Sequence, residues 1–302
     1  MIIIYFLVFG LIWVISLLPL SILYLISDFI FILIFHATRY RRKVVRKNLF
    51  NAFPNKSEKE INTIERNFYR HFCDYFMETI KLLNMSESDI KKRVTHVNPD
   101  ALDEYYKNNK SIFLYLGHYA NWEWLSYAWR IKKPSYSDYK MYITYYPLGN
   151  KYVEKFFVHL RSKKSKGLPV AQKKILRTII KINQEDKKGI FIFIADQSPT
   201  RNSVQHWLTF LNQDTAPIVG PDKLAKQTGY PAFYYKIKKV KRGYYSCEFV
   251  KLAEDPNKVP EYAITDRYFE ELEKSIIEDP SVWLWTHRRW KFEKATFKKH
   301  SD

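Results

Sequence analysis

The 302-residue chain is long enough for one large domain or two small ones, and 50 Lys+Arg against 31 Asp+Glu leave a net charge of +19. Such a balance selects anionic partners (nucleic acid, anionic lipid, phosphorylated substrates or an acidic carrier protein) and disfavours cationic ones. The two cysteines, Cys73 and Cys247, lie far apart without metal-ligand spacing, which points to buried thiols in a reducing compartment and away from a disulfide framework.

In chain order, residues Ile2 to Phe35 are almost wholly apolar, broken only by Ser16, Pro19, Ser21, Ser27 and Asp28. The stretch exceeds the ~20 residues of one membrane helix. It lacks the basic start and small-residue cleavage site of a signal peptide. Pro19 kinks or divides it, so either one tilted spanning helix or two short helices are expected. Arg39, Arg41, Arg42, Lys43, Arg46 and Lys47 follow at once, a collar that marks a cytoplasmic end and attracts anionic headgroups. Residues 1–36 thus read as a membrane anchor and 37–302 as a single α/β domain.

Val44 to Met85 reads as helical, with a capping box at Ser57 and Glu60 just after Pro54. Ile61, Ile64, Phe68, Phe72, Tyr75, Phe76 and Ile80 recur at helical spacing as a core face. Ser111 to Leu116 is a strand without polar alternation, hence buried on both faces. Helix Trp122–Ile131, strand Met141–Tyr145, and helices Lys151–Leu160 and Lys173–Asn183 follow. Gly189 leads into a third apolar strand, Ile190 to Ala195. Pro221–Gln227 reads as a short helix closed by Gly229, Ala232–Val240 and Tyr244–Leu252 as strands joined at Arg242-Gly243, and Asp266–Glu278 as a last amphipathic helix. Alternating strands and helices predict an α/β fold: a mostly buried central sheet flanked by helices.

Three constellations bear chemistry. The first is Gly117-His118-Tyr119-Ala120-Asn121-Trp122-Glu123, just past the Ser111–Leu116 strand. With His118 at the strand end and Glu123 in the first helical turn, a carboxylate can fix the imidazole tautomer and raise the basicity of its other nitrogen. A structural His–Glu contact has the same spacing. No Ser or Cys occupies a nucleophile elbow, so attack by a substrate hydroxyl fits better than an acyl-enzyme. The second is Asp196-Gln197 at the end of Ile190–Ala195; ligands collect at the carboxyl ends of such strands, although an Asp there also caps turns. The third is Trp283-Leu284-Trp285-Thr286-His287-Arg288-Arg289-Trp290-Lys291, readable as a lipid-interface or phosphate motif, or as a solvated basic face with Trp packed behind it. Basic patches at Arg161–Lys174, Lys236–Arg242 and Lys291–Lys299 are ordinarily solvated faces; beside an anchor they suit a protein lying on an anionic bilayer. His71, His96, His159 and His206 show no metal spacing, and no metal is expected.

These blocks resemble a known family, the late acyltransferases of lipid A biosynthesis, within the lysophospholipid acyltransferase-like superfamily, which implies a glycerolipid acyltransferase-like fold. The resemblance runs over essentially the whole chain. It rests on the N-terminal anchor, Asn48-Leu49 with Phe53-Pro54, the H-x4-E block His118 to Glu123, Tyr146-Pro147-Leu148 with Asn150, and Arg161 with Gly167. It continues through Ala195-Asp196-Gln197, Thr215-Ala216 with Gly220, Leu224-Ala225, Thr228-Gly229 and Trp285-Thr286-His287-Arg288-Arg289. It implies transfer of a fatty acyl chain from acyl carrier protein to a hydroxyl of a lipid A precursor at the bacterial inner membrane, catalytic domain on the cytoplasmic face, without a cofactor beyond the acyl-carrier co-substrate. His118 becomes the general base and Glu123 its orienting partner. Asn121, Arg161, Asp196, Gln197, Arg288 and Arg289 become substrate-binding residues, Asn121 marking helix-start N–H groups for an oxyanion. Tyr146 departs from the family's usual Arg before Pro-Leu. Two other readings compete: an acyltransferase acting on an aminolipid or other glycolipid, and a basic membrane-bound module binding partners without catalysis. Nucleic acid is not an expected partner.

Overall fold

The computed structural model describes residues 2–132, 139–147, 149–165 and 167–297. Leu148, Lys166, Lys298 and Lys299, which belong to the blocks and patches above, lie outside them.

The apolar N-terminus forms α1 (Ile2–Leu17) and α2 (Leu20–Ile32), divided at Pro19. Proline has no N–H to donate, and its ring obstructs the preceding turn. A π-helical turn, Leu33–Thr38, extends α2, so that Leu20–Thr38 is a 19-residue helix long and apolar enough to cross a membrane. Of the two forms expected, the structure shows two helices, the second reaching spanning length. Leu20, Leu23, Ser27 and Phe31 form its buried stripe, while Leu25, Phe29, Ile32 and Leu33 stay exposed. A helix whose outward face is this apolar fits a lipid environment better than water.

The predicted helical stretch from Val44 is in fact two helices, α3 (Arg42–Ala52) and α4 (Glu58–Lys81). Pro54 disfavours helical backbone at Phe53. Ser57 then restarts the helix with a capping box: its own N–H donates to Glu60 Oε2 at 2.9 Å, and Glu60 N–H donates to its hydroxyl. α4 presents Ile61, Phe68, Phe72 and Tyr75 to the core.

After α4 come α5 (Glu87–Arg93), β1 (Val94–His96), α6 (Asp103–Lys107), β2 (Ile112–Leu116), α7 (Glu123–Lys132), β3 (Lys140–Tyr145), α8 (Lys151–Ser165), β4 (Leu168–Ala171), α9 (Ile175–Gln184) and β5 (Gly189–Ile194). The ribbon β6 (Leu208–Phe210) and β7 (Gln213–Thr215), α10 (Gly220–Thr228), β8 (Ala232–Lys241), β9 (Tyr244–Ala253) and α11 (Ala263–Glu278) complete the chain. Gly229 closes α10 at φ +69°, a left-handed position that glycine adopts without strain.

The central sheet has seven strands in the order β1-β9-β8-β2-β5-β3-β4. All pairs are parallel except the β8–β9 hairpin. β2 lies between β5 and β8, and all five of its side chains are buried. This explains its unbroken apolar sequence, since a central parallel strand is covered on both faces. Each such Ile, Leu or Phe contributes roughly 1.5–3 kcal/mol by leaving water. The sheet is therefore the rigid platform from which the β2 and β5 carboxyl ends project. β1, β4, β6 and β7 carry three or four residues each, too few for a readable pattern.

Candidate active site

The register of the sheet builds the site. Leu116, the last residue of β2, pairs with Ile194, the last of β5. Two residues beyond each pair stand His118 and Asp196, so parallel pairing alone delivers them side by side. His118 Nδ1 lies 2.6 Å from Asp196 Oδ1, and the His118 backbone N–H donates to Asp196 Oδ2 at 2.8 Å. Gly117 permits the approach: a Cβ there would lie 2.9 Å from Leu272 on α11. Ala120 follows with φ at +51°, a left-handed turn that costs a non-glycine residue of order 1 kcal/mol and is typical of functional loops.

A second segment clamps this turn from outside. Ala120 N–H donates to the Val282 carbonyl at 2.9 Å, and Leu284 N–H to the His118 carbonyl at 3.1 Å. Between them the buried Trp283 donates its indole N–H to Asp196 Oδ2 at 2.9 Å. Burial by itself would raise the Asp196 pKa; the charge and hydrogen bonds of His118, with the Trp283 donor, outweigh it and hold the carboxyl below its usual range. Asp196 is thus an ionised carboxylate with one oxygen given to two N–H groups and the other reserved for the imidazole. Gln197 Nε2 lies 3.3 Å from His118 Nε2. Both neighbours suit an imidazole whose Nδ1 carries a proton toward Asp196 and whose Nε2, when the ring is neutral, presents a lone pair.

The expected partner of His118 lies elsewhere in the structure. Glu123 does not bond to the imidazole. It starts α7 and turns to α8, where Arg161 holds it with two hydrogen bonds, 2.6 Å (Nη2–Oε1) and 3.1 Å (Nε–Oε2). The Glu123 side chain is buried at 3% exposure and the Arg161 side chain half-buried at 15%. Burial works against the Arg161 charge, but the Glu123 carboxylate outweighs it and lifts the guanidinium pKa above its usual range. Geometrically, a helix-start residue five positions after His118 faces the neighbouring helix, while the adjacent strand end faces the imidazole.

His118, Trp122, Glu123, Arg161 and Gln197 share a cavity of about 260 Å³ with Tyr75, Tyr145, Tyr146, Phe157 and Phe193. Trp122 stacks on Tyr75 at 4.1 Å between ring centroids and meets the His118 ring edge-on at 5.0 Å. Behind the Glu123–Arg161 pair a narrower apolar pocket continues along Leu116, Trp129, Met141, Ile192 and Tyr235. Tyr146, at the departure from the family pattern, is exposed at the cavity rim.

The remaining expected binding residues lie elsewhere. The Asn121 side chain is buried and does not line the cavity: its amide donates to Glu78 Oε2 at 2.6 Å and its carbonyl accepts from Trp124 N–H at 3.3 Å. It caps α7 and ties the loop to α4. Arg288 is exposed and lines a different cavity, with Lys43, Lys47 and Lys291. Arg289 is buried, donates to the Ala216 carbonyl at 2.9 Å and lies over the Phe269 ring. Burial lowers its pKa to about 10. No group of three or more His, Cys, Asp or Glu side chains suited to a metal occurs among the described residues. Trp283 and Tyr75 are site residues that sequence reasoning does not single out. Tyr75 reads as one more core aromatic of α4, and Trp283 sits in a motif whose charges draw more notice than its indole N–H.

A histidine fixed by a buried carboxylate thus stands at the carboxyl edge of a largely parallel sheet and opens on an aromatic cavity, an arrangement capable of acid–base chemistry. Residues 1–292 match the bacterial lipid A biosynthesis acyltransferase family. The chain belongs to that family and is an acyltransferase. No individually curated protein matches the chain.

Proposed function

We propose that this acyltransferase moves a fatty acyl chain from the thioester of acyl carrier protein to a hydroxyl of a lipid A precursor. It works at the bacterial inner membrane, held there by Leu20–Thr38, with its catalytic domain on the cytoplasmic face. The observation that carries the reading is His118, whose Nδ1 is fixed on Asp196 while Nε2 stays on the cavity side beside Gln197. His118 Nε2 removes the proton of the acceptor hydroxyl as that oxygen attacks the thioester carbonyl. The resulting oxyanion takes hydrogen bonds from backbone N–H groups at the start of α7, in the manner of an oxyanion hole. Collapse of the intermediate breaks the C–S bond, and the departing thiolate recovers the proton from His118, leaving a new ester.

Glu123 and Arg161 keep the cavity wall in place as a mutually neutralised pair, and the aromatic side of the His118 cavity, with Tyr75, Phe157 and Phe193, receives the acyl chain. The carrier protein, being acidic, meets a chain of net charge +19. The test uses purified protein with acyl-loaded carrier and, in parallel, a lipid A precursor and an aminolipid. Mass spectrometry should find one added acyl chain on the first only. Acylation of the aminolipid alone overturns the choice of acceptor.

A further inference from the structure

A second cavity, about 780 Å³, opens where the end of the apolar segment, the outer face of α4 and the β8–β9 turn meet. One wall belongs to the segment of membrane-spanning length and is partly apolar: Phe31 and Ile32, together with Asp28 and His36, and with exposed Phe29 and Leu33 beside them. The facing wall is cationic: Arg66 and Arg70, one turn apart on α4, and Lys239 from β8. Neither arginine has a hydrogen bond or ion pair among the described residues; the Arg70 guanidinium rests over the Phe31 ring at 5.2 Å. Lys239 contacts His71 Nδ1 at 3.3 Å, and His71 is kept neutral by its burial, so the ammonium charge is uncompensated there. Of the three carboxylates lining the cavity, two share one arginine and the third is held by neutral donors. Arg242 bridges Asp28 at 2.7 Å and Asp74 at 2.6 Å, and Asp279 Oδ1 accepts from the backbone N–H and hydroxyl of Ser281.

Five lining cations (Arg66, Arg70, Lys239, Lys241 and Arg242) against three carboxylates (Asp28, Asp74 and Asp279) leave the cavity two charges positive, and a net positive wall facing a partly apolar one matches a molecule that is anionic at one end and apolar at the other. We propose that this cavity is a headgroup site for an anionic phospholipid of the surrounding bilayer, its phosphodiester between Arg66, Arg70 and Lys239 and its chains along Phe29 and Ile32. Guanidinium groups suit phosphate because their paired N–H donors match its oxygens. Basic pockets beside a membrane segment on the cytoplasmic side bind such headgroups. A free phosphate would use the cations but not the apolar wall. The inference rests on the reading of Leu20–Thr38 as membrane-embedded. It adds a site separate from the His118 cavity, occupied by a lipid that is not the acyl acceptor and that sets the tilt of the catalytic domain on the membrane.

The test places the full chain in phosphatidylcholine nanodiscs with and without phosphatidylglycerol and counts retained lipid by native mass spectrometry. Arg66→Gln/Arg70→Gln and, separately, Lys239→Gln are compared with Lys107→Gln/Lys110→Gln, which removes the same charge as the arginine pair at exposed positions elsewhere. Wild type and the control should retain phosphatidylglycerol alike, and the arginine pair should retain about 10-fold less or lower still, with Lys239→Gln between. Equal losses in the arginine pair and the control, or wild-type retention in the arginine pair, overturn the site. Inorganic phosphate that displaces the bound lipid at millimolar concentration overturns the lipid as its occupant. A chain that fails to enter neutral discs overturns the anchor reading first, and the site with it.

Discussion

Asp196→Asn separates the two carboxylates that sequence spacing offers to His118. In the native site, Asp196 Oδ2 accepts from His118 N–H at 2.8 Å and Trp283 Nε1–H at 2.9 Å, and Oδ1 faces His118 Nδ1 at 2.6 Å. An asparagine has one acceptor oxygen. If that oxygen stays with the two N–H donors, the amide NH2 faces Nδ1, and Nδ1 must become an acceptor. The imidazole proton then moves to Nε2, the nitrogen that should take a proton from substrate. If the amide flips, two buried N–H groups face an NH2, each at about 1–3 kcal/mol, so the tautomer change is the cheaper outcome. A base held in the wrong tautomer costs about 10³- to 10⁴-fold in kcat, as in hydrolases with a comparable His–Asp couple, or roughly 4–5.5 kcal/mol of barrier. The assay is steady-state acyl transfer, paired with ¹⁵N chemical shifts of His118 to read the tautomer. Glu123→Gln should leave the tautomer unchanged, because Glu123 touches Arg161 and not His118. An Asp196→Asn enzyme within about 10-fold of wild type, with tautomer inversion in Glu123→Gln instead, would refute the reasoning.

Trp283→Phe removes one donor from Asp196 while keeping an aromatic ring. It should lower kcat by about 10-fold with little change in KM, the mark of an interaction that acts in the transition state; Trp285→Phe, whose indole donates to the Pro280 carbonyl, should leave kcat near wild type. Arg161→Met strands the buried Glu123 carboxylate and should cost about 3–5 kcal/mol of stability in denaturant titrations. Arg161→Met combined with Glu123→Gln should recover part of that loss. Acid should destabilise the protein through His96 and His287, whose pKa values burial pushes down from 6.5 to about 4. Both are depressed histidines, so the unfolded chain binds the extra protons: stability is full above about pH 6.5, falls as pH drops toward 4, and at pH 5 has lost roughly 2 kcal/mol for each. Thermal unfolding of His96→Gln across this range should show a visibly smaller fall than wild type.

Much of the fold is legible in the sequence because its central strands are buried on both faces. Ile112–Leu116 and Ile190–Ile194 read as unbroken apolar runs, and the polar residues that follow each run mark a crevice at the sheet edge. The Ser57–Glu60 cap and the Arg242-Gly243 turn depend only on near neighbours, so they read correctly as well. The partner of His118 does not read from spacing, because it depends on β2 pairing with β5 in one register across a sequence separation of 78. A five-residue spacing suggests that Glu123 is close, but the helix start carries it to Arg161 instead. Trp283 reaches Asp196 across a separation of 87, and nothing local marks its indole N–H as a donor to the site. Asn121, in the middle of the His118–Glu123 block, is a cap tied to Glu78 because the left-handed turn at Ala120 directs the following side chain inward.

The most direct test of the central claim is single-turnover acyl transfer by wild type and His118→Ala in the same nanodiscs, with acyl-loaded carrier and a lipid A precursor. The base mechanism predicts that His118→Ala inserts and folds as wild type does and transfers acyl chains at least about 10³-fold more slowly. Transfer at the wild-type rate by His118→Ala would contradict it.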